Sequence, residues 1–349
     1  MVSVGRGRGR ASSGESRRAV PACFESWYVV RMRALRVGND RAALVEVPRP
    51  AAGGEALVRV TMSGICNTDL ELARGYMGFR GTLGHEFVGV VEHATADGGP
   101  AVGTRVVGEI NAGCGTCARC EAGDSRHCPT RTVLGIVGRD GAHADLLQLP
   151  ARNLIAVPAG VSDLQAVFVE PLAAALGVLE RCPISAGQRV AIIGDGKLGL
   201  LIAMALAPQA PILIGKHPAK LALAPVEGIS IAEARRRASI QSGKLDVVIE
   251  ASGSADGFAL ALDLLRPQGT LVLKSTFHGA TPVDAARIVI DEISVIGSRC
   301  GRFAPALQWL ERGSVDLSRL ISDVMPLDRA EDAMSDAAKP GVLKILLAR

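Results

Sequence analysis

The stretch VAIIGDGKLGLL, at positions 190–201, combines an apolar run with three closely spaced glycines. Gly194, Gly196 and Gly199 follow the spacing G-x-G-x-x-G, directly after an apolar strand pattern and at the start of an apolar helix pattern. In that context the first glycine permits a tight turn, the second lets the backbone approach a pyrophosphate, and the third lets the helix pack on the strand. The stretch therefore predicts a dinucleotide-binding turn, with the pyrophosphate at the helix N-terminus beside Lys197 and Leu198.

The segments around this turn are typical of a doubly wound α/β fold. Between residues 158 and 301, apolar strands such as QRVAIIG, PILIG and LDVVIEA alternate with helix patterns. Strands that are apolar throughout indicate a parallel sheet covered by helices on both faces. We expect one helix over about 163–180, and a helix over 257–268 followed directly by a strand.

The chain before residue 158 has a different pattern. Residues 32–157 alternate short β-rich runs, among them ALVRVTMSGI and FVGVVEHA, with glycine and proline. This alternation predicts a mainly-β module whose loops carry function. The last segment, residues 302–349, adds helix-like patches and a terminal strand, VLKILLA.

The type of dinucleotide depends on the residues that end the strand after the turn. An acidic residue there, about 20 positions on, would bind the ribose 2′-hydroxyl of NAD. The strand PILIG instead ends at Gly215 and is followed by Lys216, His217 and Lys220. With no acid to repel a 2′-phosphate and two fixed cations to attract one, the sequence favours NADP over NAD. If both lysines are only solvated surface residues, NAD could bind without selectivity.

Three further polar residues end or follow apolar strands of the expected sheet, where the ligands of parallel sheets bind. They are candidate cofactor contacts: Ser252, Lys274 and Arg299.

Four cysteines lie close together in the pattern C-x2-C-x2-C-x7-C, at Cys114, Cys117, Cys120 and Cys128. Thiols this close in sequence can converge on one tetrahedral ion, and zinc is the expected occupant. A closed four-thiolate site leaves no open position for a substrate. The run therefore predicts a structural zinc lobe, and the reactive site has to lie elsewhere.

Three other places offer metal ligands: Cys66 in SGICNTDLE, His85 and Glu86 in GTLGHEFVGVV, and Glu170 in AVFVEPLAAAL. Each has an ordinary alternative when taken alone, namely a buried thiol, a loop histidine, or an acid favoured by a helix dipole.

Taken in order, these motifs resemble the medium-chain, zinc-dependent alcohol dehydrogenase family. The matching pieces are GICNTD, GHEFVG, the four-cysteine run, GTRVV, EPLAAAL, GDGKLG and IGSRCG, and the resemblance covers almost everything from Met32 to Arg349. The sequence is most similar to the branch of sorbitol, threonine and other polyol dehydrogenases, where EPLA stands in place of a third cysteine or histidine. The resemblance implies a mainly-β GroES-like catalytic domain at 32–157, a Rossmann domain with a doubly wound parallel sheet at 158–301, and a C-terminal return to the catalytic domain at 302–349.

The resemblance also implies one catalytic and one structural zinc ion. Cys66 and His85 would be ligands of the catalytic zinc. Glu86 and Glu170 would be acidic ligands that approach it or exchange with water, and which of the two ligates the ion stays open.

The activity implied by the resemblance is hydride transfer between a secondary alcohol and NAD(P). Thr68 would hydrogen-bond the alcohol and start the proton relay, and Asp69 would orient His85. The loop between the Cys66 and His85 motifs contains polar residues, which favour a polyol, sugar or cyclitol as substrate; the alternative is that they face solvent. A homodimer or homotetramer is expected.

The distribution of charge argues against a nucleic-acid partner. The formal net charge is +4, and residues 1–31 contain six arginines against two glutamates, so the rest of the chain is formally neutral. Residues 1–31 have too little apolar content to fold, which predicts a disordered basic extension; an organelle transit peptide or an extension before a natural start at Met32 are alternatives.

Composition also bounds the location of the protein. No apolar run reaches the roughly 18 residues needed to span a bilayer, so we expect no membrane association. Clustered metal-type thiols without a secretory signal indicate a reducing compartment, the cytoplasm.

Two other classes of function remain compatible with parts of the sequence. A zinc-containing nucleic-acid-binding protein would account for the cysteines and the basic extension, but it leaves the dinucleotide turn unexplained. A nonenzymatic NADP-binding sensor would keep the fold without turnover, but the presence of Cys66, His85 and Glu170 argues against it.

Overall fold

A computed structural model of the protein describes residues 30–38, 41–96, 98–239, 244–275, 283–313 and 316–349. The basic extension predicted at 1–31 therefore lies outside the described residues, except for its last two positions.

A six-stranded parallel sheet follows the predicted turn region. Its strands run in the order β13-β12-β11-β14-β15-β16, and every neighbouring pair is parallel. This is the order of a doubly wound dinucleotide-binding sheet, in which the order of the strands reverses beside β11. The strands are β11 Val190–Ile193, β12 Ile212–Gly215, β13 Gly228–Ser230, β14 Leu245–Glu250, β15 Leu265–Leu273 and β16 Ser294–Gly297.

Helices cover both faces of this sheet, as the apolar strands predict. Alternate residues of β11 belong to different buried clusters: Ile192 packs with Leu201, whereas Ile193 packs with Phe258. The helices associated with this part of the chain are α3 Asp163–Ala166, α4 Val169–Arg181, α5 Lys197–Ala205, α6 Pro218–Leu221, α7 Ile231–Ala238, α8 Ala255–Leu264 and α9 Ala285–Ile290.

Two predicted helices end or break where a proline interrupts the hydrogen-bond ladder. The single helix expected over 163–180 is wrong, because α3 stops at Ala166 and α4 starts at Val169. Pro171 has no N–H to donate to the carbonyl of Val167, and its ring crowds that carbonyl. The helix expected over 257–268 ends at Leu264, and β15 already runs through Pro267.

The first part of the chain forms mainly antiparallel β-structure, as predicted. A seven-stranded sheet has the order β10-β6-β5-β3-β18-β17 with β9 also paired to β3, where β17 is Ile321–Pro326 and β18 is Lys344–Ala348. A three-stranded sheet has the order β2-β1-β4. The strands are β1 Arg31–Val37, β2 Ala42–Pro48, β3 Ala56–Gly64, β4 Gly81–Thr82, β5 Glu86–His93, β6 Arg105–Gly108, β7 Asn111–Ala112, β8 Thr132–Val133, β9 Leu146–Leu149 and β10 Leu154–Ala156; the short helices are α1 Asn67–Ala73 and α2 Ala118–Glu121.

The C-terminal segment completes the seven-stranded sheet. It contains α10 Phe303–Glu311, β17 Ile321–Pro326, α11 Ala330–Ala337 and β18 Lys344–Ala348. The last strand, β18, pairs antiparallel with β3 and parallel with β17. One continuous buried cluster joins Phe87 of the β-module to Leu172 of α4 and Leu201 of α5, so the two sheets are held against a shared apolar layer. Within the described ranges, no helix has the length and apolar character that crossing a bilayer requires.

Candidate metal centre and dinucleotide site

The loop that carries Cys66 is held by Asp69, three residues further on. Cys66 precedes α1, and its backbone N–H donates to Asp69 Oδ2 at 2.7 Å. The other oxygen, Oδ1, accepts the N–H of Gly84 at 3.0 Å and lies 3.4 Å from Nδ1 of His85. One fully buried carboxylate thus connects the Cys66 loop to the His85 loop.

The carboxylate of Asp69 lies next to two histidine side chains, those of His85 and His143. Burial would raise the pKa of this carboxyl, but its interactions with His85 and His143 outweigh that effect and hold the pKa well below its ordinary value. His143 Nε2 lies 3.5 Å from Asp69 Oδ2. Because the Asp69 carboxylate lies beside Nδ1 of His85, we expect Nε2 to be the nitrogen that would bind a metal ion.

Cys66, His85 and Glu86 converge on one point. Each offers a ligand atom, and these atoms all lie within 4.8 Å of one another. Burial raises the pKa of the Cys66 thiol. The neighbouring His85 lowers it by more, so the net shift of the pKa is downward. A thiolate, an imidazole and a carboxylate are the donor types that zinc takes in proteins, so the chemistry of this set fits a zinc ion.

Glu86 has one oxygen engaged and one without a partner. Its Oε2 accepts a hydrogen bond from the buried ammonium of Lys344, whereas Oε1 is buried and has no hydrogen-bond partner in the described structure. A buried carboxylate oxygen without a donor is costly unless an ion or water satisfies it. The orphaned oxygen is therefore a second observation that fits a bound cation.

Glu170, the second residue of α4, lies outside this three-residue set. Burial raises its pKa to about 7, and the nearby charge of Glu86 adds to the rise. The geometry thus groups Glu86 with Cys66 and His85, and a role of Glu170 as a ligand stays a prediction. The hydroxyl of Thr68 lies near the thiol, with its Oγ1 3.9 Å from Cys66 Sγ.

The four-cysteine run also converges. Cys114, Cys117, Cys120 and Cys128 place their sulfur atoms within 4.8 Å of one another, and none of the cysteines in the described ranges forms a disulfide. The backbone N–H of Thr116 is the main reason that the pKa of Cys114 falls to about 5. A Cβ on Gly113 would lie only 2.7 Å from Cys120 Sγ, so the loop needs a glycine there. Four sulfur donors fit a closed zinc site.

The glycine turn has the geometry predicted for it. Gly194 has φ +121°, and a Cβ on it would lie 2.7 Å from the carbonyl oxygen of Ala251. Gly199 packs against the backbone of Gly194, whereas Gly196 faces open space, where a pyrophosphate can approach the backbone. Leu198 packs against the shared apolar layer.

Lys197 connects this turn to the Cys66 loop. It is the first residue of α5, and its Nζ donates to the carbonyl oxygen of Ile65 at 3.3 Å, one residue before Cys66. Burial, with a smaller effect from Lys344, lowers the pKa of its ammonium group. The dinucleotide turn and the metal ligands are therefore neighbours in space although about 130 residues separate them in sequence.

Comparison with protein-family models gives two matches on this chain. Residues 52–159 match the alcohol dehydrogenase GroES-like domain, and residues 219–312 match the zinc-binding dehydrogenase model. The chain belongs to the medium-chain zinc-dependent alcohol dehydrogenase family. The mixed fold predicted from the sequence is confirmed.

Relatives in this family include several polyol dehydrogenases. The sorbitol dehydrogenase of Halalkalibacterium halodurans is 30% identical over 89% of this chain and 96% of its own length. The erythritol/L-threitol dehydrogenase of Mycolicibacterium smegmatis is 32% identical over 78% of this chain and 84% of its own length.

Two solved dehydrogenase structures superimpose along nearly the whole chain. A zinc-binding dehydrogenase of Sinorhizobium meliloti 1021, solved with NADP, has a TM-score of 0.82 and 29% identity, and covers 92% of this chain and 100% of its own. A protein of Escherichia coli CFT073 described as a short chain alcohol dehydrogenase, solved with NADH, has a TM-score of 0.83 and 26% identity, and covers 91% of this chain and 99% of its own.

In this dehydrogenase chain, the end of β12 differs from the sequence-based expectation. The expectation that no acid lies near the end of this strand is wrong, because Asp195 reaches it from the glycine turn. Its Oδ2 accepts the N–H groups of Lys216 and His217 at 2.8 and 2.6 Å, and lies 3.0 Å from His217 Nδ1. Lys216 and His217 are exposed, and Lys220 is half-buried.

The three other candidate cofactor residues make contacts within the protein. Ser252 Oγ donates to Glu250 Oε1 at 2.5 Å, and Lys274 Nζ donates to the carbonyl oxygen of Arg299 at 3.0 Å. Burial lowers the pKa of Lys274 to about 8. The Arg299 guanidinium donates to Asn111 Oδ1 at 2.9 Å, beside the four-cysteine lobe. A cofactor role for Ser252, Lys274 and Arg299 stays a prediction.

Sequence reasoning missed two residues of the zinc-dehydrogenase site. Lys344 lies in VLKILLA, where a lone lysine inside an apolar central strand was the available signal. Asp195 lies inside the glycine motif itself, and nothing in the motif indicates that its side chain reaches the next strand.

Proposed function

We propose that this protein is a zinc-dependent oxidoreductase that transfers hydride between a secondary alcohol and a nicotinamide dinucleotide. The observation that carries the proposal is the contact between Lys197 Nζ and the carbonyl oxygen of Ile65, at 3.3 Å. It puts the dinucleotide turn next to Cys66, in the set that also includes His85 and Glu86. Hydride transfer requires the cofactor and the activated alcohol to be adjacent.

In this proposal Cys66, His85 and Glu86 hold the catalytic zinc, with Glu170 as a further acid near it. When bound, zinc supplies a Lewis acid that lowers the pKa of the substrate hydroxyl, and nicotinamide accepts or returns the hydride. Other side chains of the protein position these ligands: Asp69 orients His85, and Lys344 holds one oxygen of Glu86.

Thr68 is proposed as the residue that holds the substrate proton. Its hydroxyl lies 3.9 Å from Cys66 Sγ and is only half-buried, so it borders both the metal ligands and the accessible side of the loop. A hydroxyl can accept the proton of a substrate alcohol and donate its own in turn.

The proposed substrates are polyols, sugars or cyclitols. The names of similar proteins support this class, since they include sorbitol and erythritol/L-threitol dehydrogenases. Near the site, Arg74 forms an exposed pair with Glu71 at 3.1 Å, at the end of α1. Charged and hydrogen-bonding groups beside the site suit a substrate with several hydroxyls better than an aliphatic alcohol.

We propose NADP as the preferred cofactor, supported by Lys216, His217 and Lys220 after β12. A second zinc in the four-cysteine lobe and a homodimeric or homotetrameric assembly are further parts of the proposal.

A direct test assays turnover of a panel of polyols, sugars and aminocyclitols with NADP and with NAD. The Cys66→Ala variant should lose turnover and about one zinc per chain, because it removes a ligand. Cys182→Ala is the matched control, since Cys182 is a buried thiol outside both cysteine-containing ligand sets. Equal turnover by Cys66→Ala and wild type would refute the mechanism, and cofactor binding without turnover of any substrate would favour a sensor.

A further inference from the structure

Asp195 occupies the gap between the glycine turn and the end of the neighbouring strand. It follows Gly194, the glycine directly after β11, and its Oδ2 accepts two consecutive backbone N–H groups, from Lys216 and His217. The same oxygen lies 3.0 Å from Nδ1 of His217. A single carboxylate oxygen thus organises both the backbone and one side chain where β12 ends.

Gly215, at the end of β12, packs directly against the side chain of Asp195. A Cβ at Gly215 would lie 2.5 Å from Asp195 Cβ and 2.6 Å from its Cγ, which is too close for any side chain. The glycine that ends β12 therefore leaves room for an acid that comes from another strand. The two positions form one structural unit, and the absence of a side chain at 215 is explained by the presence of one at 195.

The side chains of the residues that Asp195 holds are exposed, whereas Asp195 itself is largely buried. The Asp195 side chain is only 11% exposed, whereas that of His217 is 53% exposed. Lys216 is exposed too, and Lys220 follows one helical turn later. In a doubly wound sheet, the end of this strand faces the adenosine ribose of a dinucleotide bound at the turn.

We propose that Asp195 is a positioning residue for cofactor selection, which holds Lys216 and His217 as a clamp for the 2′-phosphate of NADP. The inference rests on the proposed NADP dependence and names the residue that organises it. Asp195 does not touch the phosphate in this arrangement. Its Oδ2 accepts two backbone N–H groups and lies beside His217 Nδ1, while the exposed ammonium group of Lys216 remains available to an anion.

The opposite role for an acid at this place is repulsion of the 2′-phosphate. The hydrogen bonds argue against it: burial would raise the pKa of Asp195, but the N–H groups of His217 and Lys216 bring it below its ordinary value. These contacts show that the carboxylate is stabilised by neighbouring donors and does not need a ribose hydroxyl as partner. The two roles predict opposite effects of removing the carboxylate.

The test measures binding of NADP, NAD, 2′,5′-ADP and 5′-AMP to the full-length zinc-loaded protein by calorimetry. Asp195→Ala should weaken NADP and 2′,5′-ADP at least about tenfold and change NAD and 5′-AMP by less than about threefold. Asp195→Asn, which keeps an acceptor oxygen for the backbone N–H groups, should retain most of the preference. Lys216→Met should lose affinity for the 2′-phosphate ligands alone, because it removes one arm of the clamp.

Gly215→Ala is an independent variant, since it displaces Asp195 without changing its charge, and it should reproduce the loss of NADP preference. Tighter NADP binding by both Asp195→Ala and Asp195→Asn would overturn the proposal in favour of repulsion. An equal loss for NADP and NAD in Asp195→Ala would also overturn it, because a residue that only supports the turn acts on both. Failure of the proposed function is distinguishable: a wild-type protein that prefers NADP but turns over no alcohol leaves this inference intact.

Discussion

Replacing Lys344 by methionine should strongly destabilise the protein, although the residue lies at one end of the chain. Lys344 and Glu86 are each 1% exposed and form an ion pair between β18 and β5. The ammonium also donates to the carbonyl oxygen of Ile65 at 3.3 Å and lies 5.9 Å from the centre of the Phe168 ring. Methionine keeps most of the apolar stem but leaves the Glu86 carboxylate buried without its cation.

The magnitude follows from the cost of an unpaired buried charge. Breaking a buried ion pair by removing one partner costs about 3–5 kcal/mol. For a cooperative unit of 150–250 residues, 1 kcal/mol shifts the melting temperature by about 2–4 °C, so a decrease of roughly 6–20 °C is expected. Removing both charges, as in Glu86→Gln with Lys344→Met, should recover much of this loss because no isolated charge remains.

The assay is thermal unfolding followed by calorimetry, with zinc per chain measured for every variant because Glu86 is also a candidate ligand. Lys339→Met is the matched control: Lys339 pairs with Asp336 on the surface, with 64% of its side chain exposed. Such exposed pairs contribute about 0–1 kcal/mol. A melting temperature of Lys344→Met within about 2 °C of the control would refute the buried-charge reasoning.

Three other outcomes test the metal sites and one surface pair. Cys66→Ala should lose one zinc ion and turnover. Cys120→Ser should lose the other zinc ion and stability, whereas turnover by the folded fraction should largely persist. Metal analysis with activity assays checks both variants, and loss of both ions from either variant would contradict two separate sites. Arg33 donates to both oxygens of Asp145, and although burial opposes the effect, this holds the pKa of Asp145 below its ordinary value. The stabilisation is present above the unfolded pKa of about 3.9 and is lost as pH falls through the lower folded value, so Asp145→Asn should be less stable than wild type near pH 7, and this difference in stability should be smaller near pH 3. Urea unfolding at both pH values measures this, and a difference of the same size at the two pH values would contradict the assignment.

Local sequence patterns predicted most of the fold because the features involved are periodic. Strands that are apolar throughout can only be buried on both faces, which requires a parallel sheet with helices on each side. The helix over 163–180 was predicted as one element because its apolar pattern continues through Val167. The effect of Pro171 on the carbonyl four residues earlier breaks it into α3 and α4.

The sequence by itself determined the donor chemistry of this protein: the four-cysteine spacing, the G-x-G-x-x-G turn, and the presence of Cys66, His85 and Glu86 are all readable from residue types and intervals. Tertiary structure decided how those groups are supported. Lys344 lies 258 positions from Glu86, and Asp195 acts on a strand about twenty residues further on, so neither contact leaves a local pattern. Such contacts arise where separate strands end or cross in space, and only the folded sheets determine which side chains meet there.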